Sequence, residues 1–141
     1  MRAFLIFITV IIISNTCYSQ SLDGEWKGSM TDSYLPGTSY MKLFFLRNTD
    51  SSYKIFSYCK GQNSKGIDTI IVAKVNYKRK DSESIYLEEV EVLKPKKVIN
   101  NCLFKMDLKI TAASNDITLH GKWYSEECRM DGTITFKKSK K

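Results

Sequence analysis

Leu22-Asp23-Gly24-Glu25-Trp26 near the start of the chain and Leu119-His120-Gly121-Lys122-Trp123 near its end are two copies of one pattern, Leu-x-Gly-x-Trp. In each copy Leu, Gly and Trp alternate with polar or charged residues, the period of two that a half-buried strand shows. Glycine suits a position where a bulky ring or a backbone must come close. Both tryptophans are therefore expected to face a core. Two matching strands at opposite ends of a chain are what a sheet closing on itself requires, because its first strand must pair with its last. The expected architecture is all-β and closed.

The sequence between the two copies supports this. Eight strand-like segments follow one another between turn signals, with no helical periodicity of useful length. The first, Gly24 to Met30, sets Gly24, Trp26, Gly28 and Met30 on one face. The second, Tyr40 to Arg47, is apolar on both faces, so its inner side stays open. The third runs from Ser52 to Cys59. The fourth, Asp68 to Lys78, groups Ile71, Ala73, Val75 and Tyr77. In the fifth, Ile85 and Leu87 hold one parity and Val90 and Val92 the other. A β-bulge at Glu88-Glu89 would return all four to one side. In the sixth, Phe104, Met106, Leu108 and Ile110 alternate with Lys105, Asp107 and Lys109. The seventh spans Ile117 to Tyr124, and the eighth carries Ile134 and Phe136 inward. Short, evenly spaced strands without crossover helices form an antiparallel up-and-down meander, and eight suffice to close a barrel.

Residues 1–19 read as a secretory signal peptide. Met1-Arg2 is a basic start, Ala3 to Ile13 is almost unbroken apolar sequence, and Ser14 to Ser19 is small and polar. The apolar run falls short of the roughly 20 residues a membrane-spanning helix takes. Cleavage after Ser19 would leave Gln20 as the N-terminus, with residues 20–141 forming one domain. The alternative is a lipoprotein acylated on Cys17, although Ile13-Ser14-Asn15-Thr16 is a poor form of the usual lead sequence. Export of the mature chain carries its cysteines, Cys59, Cys102 and Cys128, into an oxidising compartment, where one disulfide and one leftover thiol are expected. With Arg2 removed, 21 basic residues face 15 acidic ones, a net charge of +6. The basic clusters Lys78-Arg79-Lys80, Lys94 with Lys96-Lys97, and the lysine-rich tail fall at strand ends or the terminus. They read as solvated charge, and nucleic acid is not an expected partner.

Catalytic and metal chemistry find little purchase. His120 is the only histidine and sits on the polar parity of its strand, opposite to Trp123. No Cys-x-x-Cys, phosphate loop or calcium loop occurs. Adjacent strand residues point to opposite faces, so neither Glu88-Glu89 nor Glu126-Glu127 offers two carboxylates converging on one bond. Neither an enzyme nor a bound cofactor or metal is expected.

With Gly24-Glu25-Trp26-Lys27-Gly28 opening the first strand of an eight-strand meander, the chain resembles the calycin group of barrels, which includes lipocalins, fatty-acid-binding proteins and avidins. Within that range it resembles more closely small secreted bacterial lipocalin-like proteins of unknown role, through that opening motif and the closing Leu119 to Trp123 followed by Cys128 and Gly132-Thr133-Ile134. The resemblance implies a fold and no activity. It also implies a basic residue laid across Trp26 at the barrel bottom, with Arg129 and Lys137 as candidates. The helices that lipocalins and fatty-acid-binding proteins add to the barrel have no counterpart in this sequence. The polar biotin-binding set of avidins has none either.

The expected function is that of a secreted or periplasmic protein enclosing a small apolar or aromatic ligand, with Trp26, Tyr77, Phe104 and Trp123 as the ligand-facing residues. Aromatic richness motivates this: Tyr40, Phe44, Phe45, Tyr53, Phe56, Tyr58 and Tyr77 fall in the strands of the first half. The alternative is a protein-binding module, an inhibitor or envelope-associated factor, whose interior is filled. The strand register yields a disulfide expectation as well. Pairing Ile110 with Ile117 sets Phe104 opposite Trp123 and Cys102 opposite Ser125. Cys128 follows at the same end of that hairpin, within reach of the roughly 5.5 Å between Cα atoms that a disulfide prefers. Cys102 and Cys128 are therefore expected to pair, leaving Cys59 free.

Overall fold

Alternating apolar residues bury one face of each strand only if another apolar face meets it, and in a barrel all those faces meet at one axis. A computed structural model describes residues 21–62, 65–97, 102–114 and 116–139. The strands are β1 (Gly24–Asp32), β2 (Thr38–Arg47), β3 (Tyr53–Gln62), β4 (Asp68–Arg79), β5 (Ser84–Lys94), β6 (Lys105–Ala113), β7 (Asp116–Ser125) and β8 (Met130–Lys138). Each pairs antiparallel with the next, and β8 pairs with β1, from Trp26 against Lys138 to Asp32 against Gly132. The expected closed eight-strand meander is the observed fold. Among the described residues there is no helix, and so none long and apolar enough to cross a membrane. The signal segment, the Ser19/Gln20 junction and Cys17 lie outside the described residues.

The inward rows follow the sequence parity. Trp26, Leu43, Phe45, Ile55, Ile85, Leu87, Met106, Leu119 and Phe136 are each at most 1% exposed. Burying such a side chain contributes about 1.5–3 kcal/mol against leaving it in water. In β2, whose inner side the sequence left open, Met41, Leu43 and Phe45 turn in, while Tyr40, Phe44 and Leu46 turn out. At one end the barrel is plugged. Leu22 is fully buried there beside Trp26, and Phe45, Tyr53 and Tyr77 pack edge to face with centroids 5.6 to 6.5 Å apart. The basic residue over Trp26 is Lys138, whose Nζ lies 5.7 Å from the ring centroid and donates to Ser21 O at 2.8 Å. Neither expected candidate takes that place: Lys137 has the outward parity, and Arg129 sits in the β7–β8 turn at the other end.

Two expectations are corrected in position. The β6–β7 register pairs Ile110 with Leu119 and Met106 with Trp123, two residues away from the expected pairing of Ile110 with Ile117. The cause is a tight turn. Pairing continues to Ala113 opposite Asp116, with Ser114 in the left-handed region at φ 54°. A shift of two keeps every face, so the parity argument survives it. The bulge in β5 lies one step beyond Glu88-Glu89. Glu89 pairs with Val75 and Glu91 with Lys74, leaving Val90 as the extra, exposed residue. Glu89 therefore keeps the inward parity of Ile85 and Leu87.

Candidate functional site

The end opposite the plug is the mouth of the barrel, the end at which β1, β3, β5 and β7 finish. Here lies a cavity of about 640 Å³ whose walls include Met30, Cys59, Phe104, Trp123 and Met130, together with Leu35, Pro36 and Gly37 of the β1–β2 connection and Thr38 and Ser39 at the start of β2. Phe104 meets Trp123 edge to face at 5.2 Å. The indole N–H of Trp123 is already committed, donating to Thr31 O at 2.9 Å. That bond fixes the ring, and Gly132, directly across from Trp123 in β8, leaves it room.

The connection over the cavity is anchored by its acids. Oδ1 of Asp32 accepts from the backbone N–H groups of Tyr34 at 2.6 Å and Leu35 at 3.1 Å, a side-chain-capped turn. Ser33 reaches across to Asp131 through both its N–H and its hydroxyl. The other carboxylate oxygen of Asp32, Oδ2, is buried and has no hydrogen-bond partner. Asp32 also borders the cavity.

Glu89 is the feature that sequence reasoning missed. It is 4% exposed, inside the barrel. Ser57 Oγ donates to its Oε1, and the backbone N–H of Phe104 donates to its Oε2 at 2.9 Å. Among the described residues no basic side chain forms an ion pair with it. Burial raises its pKa to about 6, and the bonds from Ser57 and Phe104 oppose that rise. Its charge reaches Cys59, whose thiol is pushed up to about 12, mainly by burial and further by Glu89. The signal was present in the sequence, since Ile85, Leu87 and Glu89 share a parity. A bulge placed early hid it.

The four residues expected to face a ligand are divided between the two ends. Phe104 and Trp123 line the mouth cavity, whereas Trp26 and Tyr77 belong to the packed aromatic plug. Of the aromatic residues of the first half, Phe45, Tyr53 and Tyr77 join the plug, and Tyr40 and Phe44 lie on the outer surface. Cys102 and Cys128 form the expected disulfide, with Cα atoms 5.5 Å apart, and Cys59 is free. The bridge ties the segment before β6 to the β7–β8 turn and so holds one side of the mouth. His120 is exposed, its Nδ1 2.7 Å from Thr135 Oγ1. Glu88 and Glu126 lie on the outside against Lys105. Among the described residues no group of three or more His, Cys, Asp or Glu side chains is placed to hold a metal ion.

Fold and cavity together define a closed eight-stranded antiparallel barrel, plugged at one end and hollow at the mouth. No family model matches the chain, and no curated protein matches it. Among solved structures it is similar to a redesigned β-barrel, at 18% identity and a TM-score of 0.48, over 84% of this chain and 92% of that one.

Proposed function

We propose that this chain is a secreted or periplasmic lipocalin-like barrel that binds a small apolar or aromatic molecule in its mouth, and that it is not an enzyme. The carrying observation is the cavity of about 640 Å³ walled by Phe104 and Trp123. Its volume lies in the range of ligand sites, roughly 300–1,000 Å³, and a few polar groups among apolar walls are the usual composition of such sites. The Cys102–Cys128 bridge is compatible with an oxidising compartment. Trp26 and Tyr77, packed in the plug, are assigned to stability in this reading.

The test is titration with the neutral hydrophobic dye Nile red. Saturable fluorescence enhancement is expected, with loss of about 1–2 kcal/mol of binding in Phe104→Ala. Native mass spectrometry of protein from the extracellular or periplasmic fraction should show a retained small molecule. Absence of saturable dye binding together with the bare polypeptide mass would overturn the reading.

One observation favours the alternative of a protein-binding module. On the outer face of β2 to β4, Tyr40 is 72% and Ile70 50% exposed, and they flank a shallow depression lined also by Lys42, Phe44 and Tyr58. Exposed aromatic residues next to cations are enriched where proteins meet. Under that reading the mouth binds nothing, and substitution of Tyr40 and Ile70 by serine abolishes association with the partner.

A further inference from the structure

Exposed apolar side chains are unevenly distributed on this barrel. Leu46 aside, every large apolar side chain that stands exposed among the described residues lies toward the mouth. Leu35 belongs to the β1–β2 connection and Ile67 immediately precedes β4, each more than half exposed. Tyr40 and Ile70 are the third residues of β2 and β4, and Leu93 is next to the last residue of β5. Such clustering marks a surface that meets something. The cluster is continuous with the cavity: Leu35, Tyr40 and Lys60 border the cavity, and Tyr40 and Lys60 line, with Ile70, the shallow depression beside it. Charge is also divided around the rim. On the side of β3 to β5, Lys60, Lys65, Lys94, Lys96 and Lys97 are exposed, against Asp68 and Glu91. The acids Glu126, Glu127 and Asp131 lie on the far side, around the β7–β8 connection. Lysine and apolar residues alternate across the strands, Lys60 pairing with Ile70 and Lys94 with Val72.

We propose that this side of the mouth docks on an anionic lipid surface, with Leu35, Tyr40, Ile67 and Leu93 entering the head-group layer and Lys60, Lys94, Lys96 and Lys97 meeting lipid phosphates. Apolar insertion combined with attraction of lysines to anionic head groups is how peripheral proteins hold a bilayer, and tyrosine favours its interface. Charge complementarity gives the docking a direction, since Glu126, Glu127 and Asp131 are repelled by the same surface and tilt the barrel toward β3 to β5. A protein partner fits less well, because protein–protein interfaces are depleted in lysine whereas here lysines are interleaved with the apolar residues. A bilayer also engages at once the side chains of separate connections, as Leu35 and Ile67 are. Under the small-molecule reading above, docking sets the cavity opening against the lipid, so an apolar ligand passes between membrane and barrel without crossing water. The docking itself needs no ligand.

Flotation with lipid vesicles tests this, on protein from the extracellular or periplasmic fraction. Binding to phosphatidylcholine vesicles containing about 30% phosphatidylglycerol should exceed binding to pure phosphatidylcholine at least about tenfold, and should fall at least about fivefold between ~0.05 M and ~0.5 M NaCl. A lysine near an anionic surface is worth about fivefold in partitioning, so Lys60→Gln, Lys94→Gln and Lys96→Gln together should cost at least about twentyfold. Leu35→Ser with Ile67→Ser should cost at least about tenfold. Lys109→Gln, Lys122→Gln and Lys137→Gln together, on the outer faces of β6, β7 and β8, remove the same charge and should cost less than about threefold. Equal binding to the two kinds of vesicle, or an equal loss in the two lysine variants, overturns the proposal. Absence of binding to either vesicle overturns it as well and returns the rim to a protein partner. The lipid and salt series use the wild type, so they decide the outcome even if a variant folds poorly. Nile red titration without vesicles reads the cavity alone, which separates failure of docking from failure of the small-molecule reading.

Discussion

Glu89 and Phe104 are joined twice: the backbone N–H of Glu89 donates to Phe104 O at 2.9 Å, and the backbone N–H of Phe104 donates to Glu89 Oε2, also at 2.9 Å. The regular ladder between β5 and β6 ends at Glu88 and Lys105, so this double bond continues it by one step with a side chain in place of backbone. Ser57 from β3 holds the other oxygen, which places one carboxylate between three parts of the wall.

That geometry predicts a pH-dependent stability. The folded pKa of Glu89, about 6, is above its ordinary value of 4.5, so folding favours the neutral acid. The stabilising contribution is complete below about 4.5 and is lost as pH rises through about 6. Glu89→Gln stays neutral and loses nothing. Urea unfolding of both proteins should show the wild type losing about 2 kcal/mol relative to the variant between pH of about 4 and about 7. Parallel stability profiles would refute the assignment.

Gly121 tolerates no side chain. A Cβ built there would stand 1.8 Å from the backbone oxygen of Asp107 on β6, so β6 and β7 would have to separate. Gly121→Ala should cost about 3 kcal/mol or more, beyond the ordinary overpacking range of ~1–3 kcal/mol, because backbone has no alternative rotamer. Chemical denaturation reads this directly. A loss under about 1 kcal/mol would mean that the strands do not approach as described.

Cys102 and Cys128 close a loop with a sequence separation of 26. Constraint of the unfolded chain by such a loop is worth about 3 kcal/mol, so the Cys102→Ser, Cys128→Ser double variant should unfold at correspondingly lower urea concentration. Peptide mapping without reduction should recover the two cysteines in one fragment. A fragment joining Cys59 to either would contradict the structure.

Cys59 should be a slow thiol. With its pKa pushed up to about 12, the thiolate fraction at about pH 8 is roughly a thousandfold below that of an ordinary cysteine. Ellman's reagent should modify it at least about a hundredfold more slowly in the native protein than in urea. Rapid native labelling would show the thiol to be outside the half-buried, acidic surroundings assigned to it.

Much of this molecule was legible in the chain because side-chain parity is a local property. Trp26, Leu87, Met106, Trp123 and Phe136 point inward whatever their cross-strand partners, since the strand period is two. For the same reason the pairing of Cys102 with Cys128 followed from a register two residues away from the observed one: both registers leave the two cysteines at the same end of the same hairpin. Closure of the sheet was likewise legible, from the repeated Leu-x-Gly-x-Trp at the two ends.

What the tertiary structure alone decided depends on groups distant in the chain. The inner side of β2 was settled by which row met Trp26 and Ile55 across the neighbouring strands, since both its rows are apolar. The register of β6 against β7 was set by the left-handed backbone at Ser114, a turn choice with no trace in the hydrophobic pattern. Which end is solid and which hollow was set by Leu22 entering one end as a plug. Above all, a glutamate in the interior is stable only where hydrogen bonds reach it. For Glu89 those come from Ser57 and Phe104, 32 and 15 residues away, which meet it only once the barrel has closed.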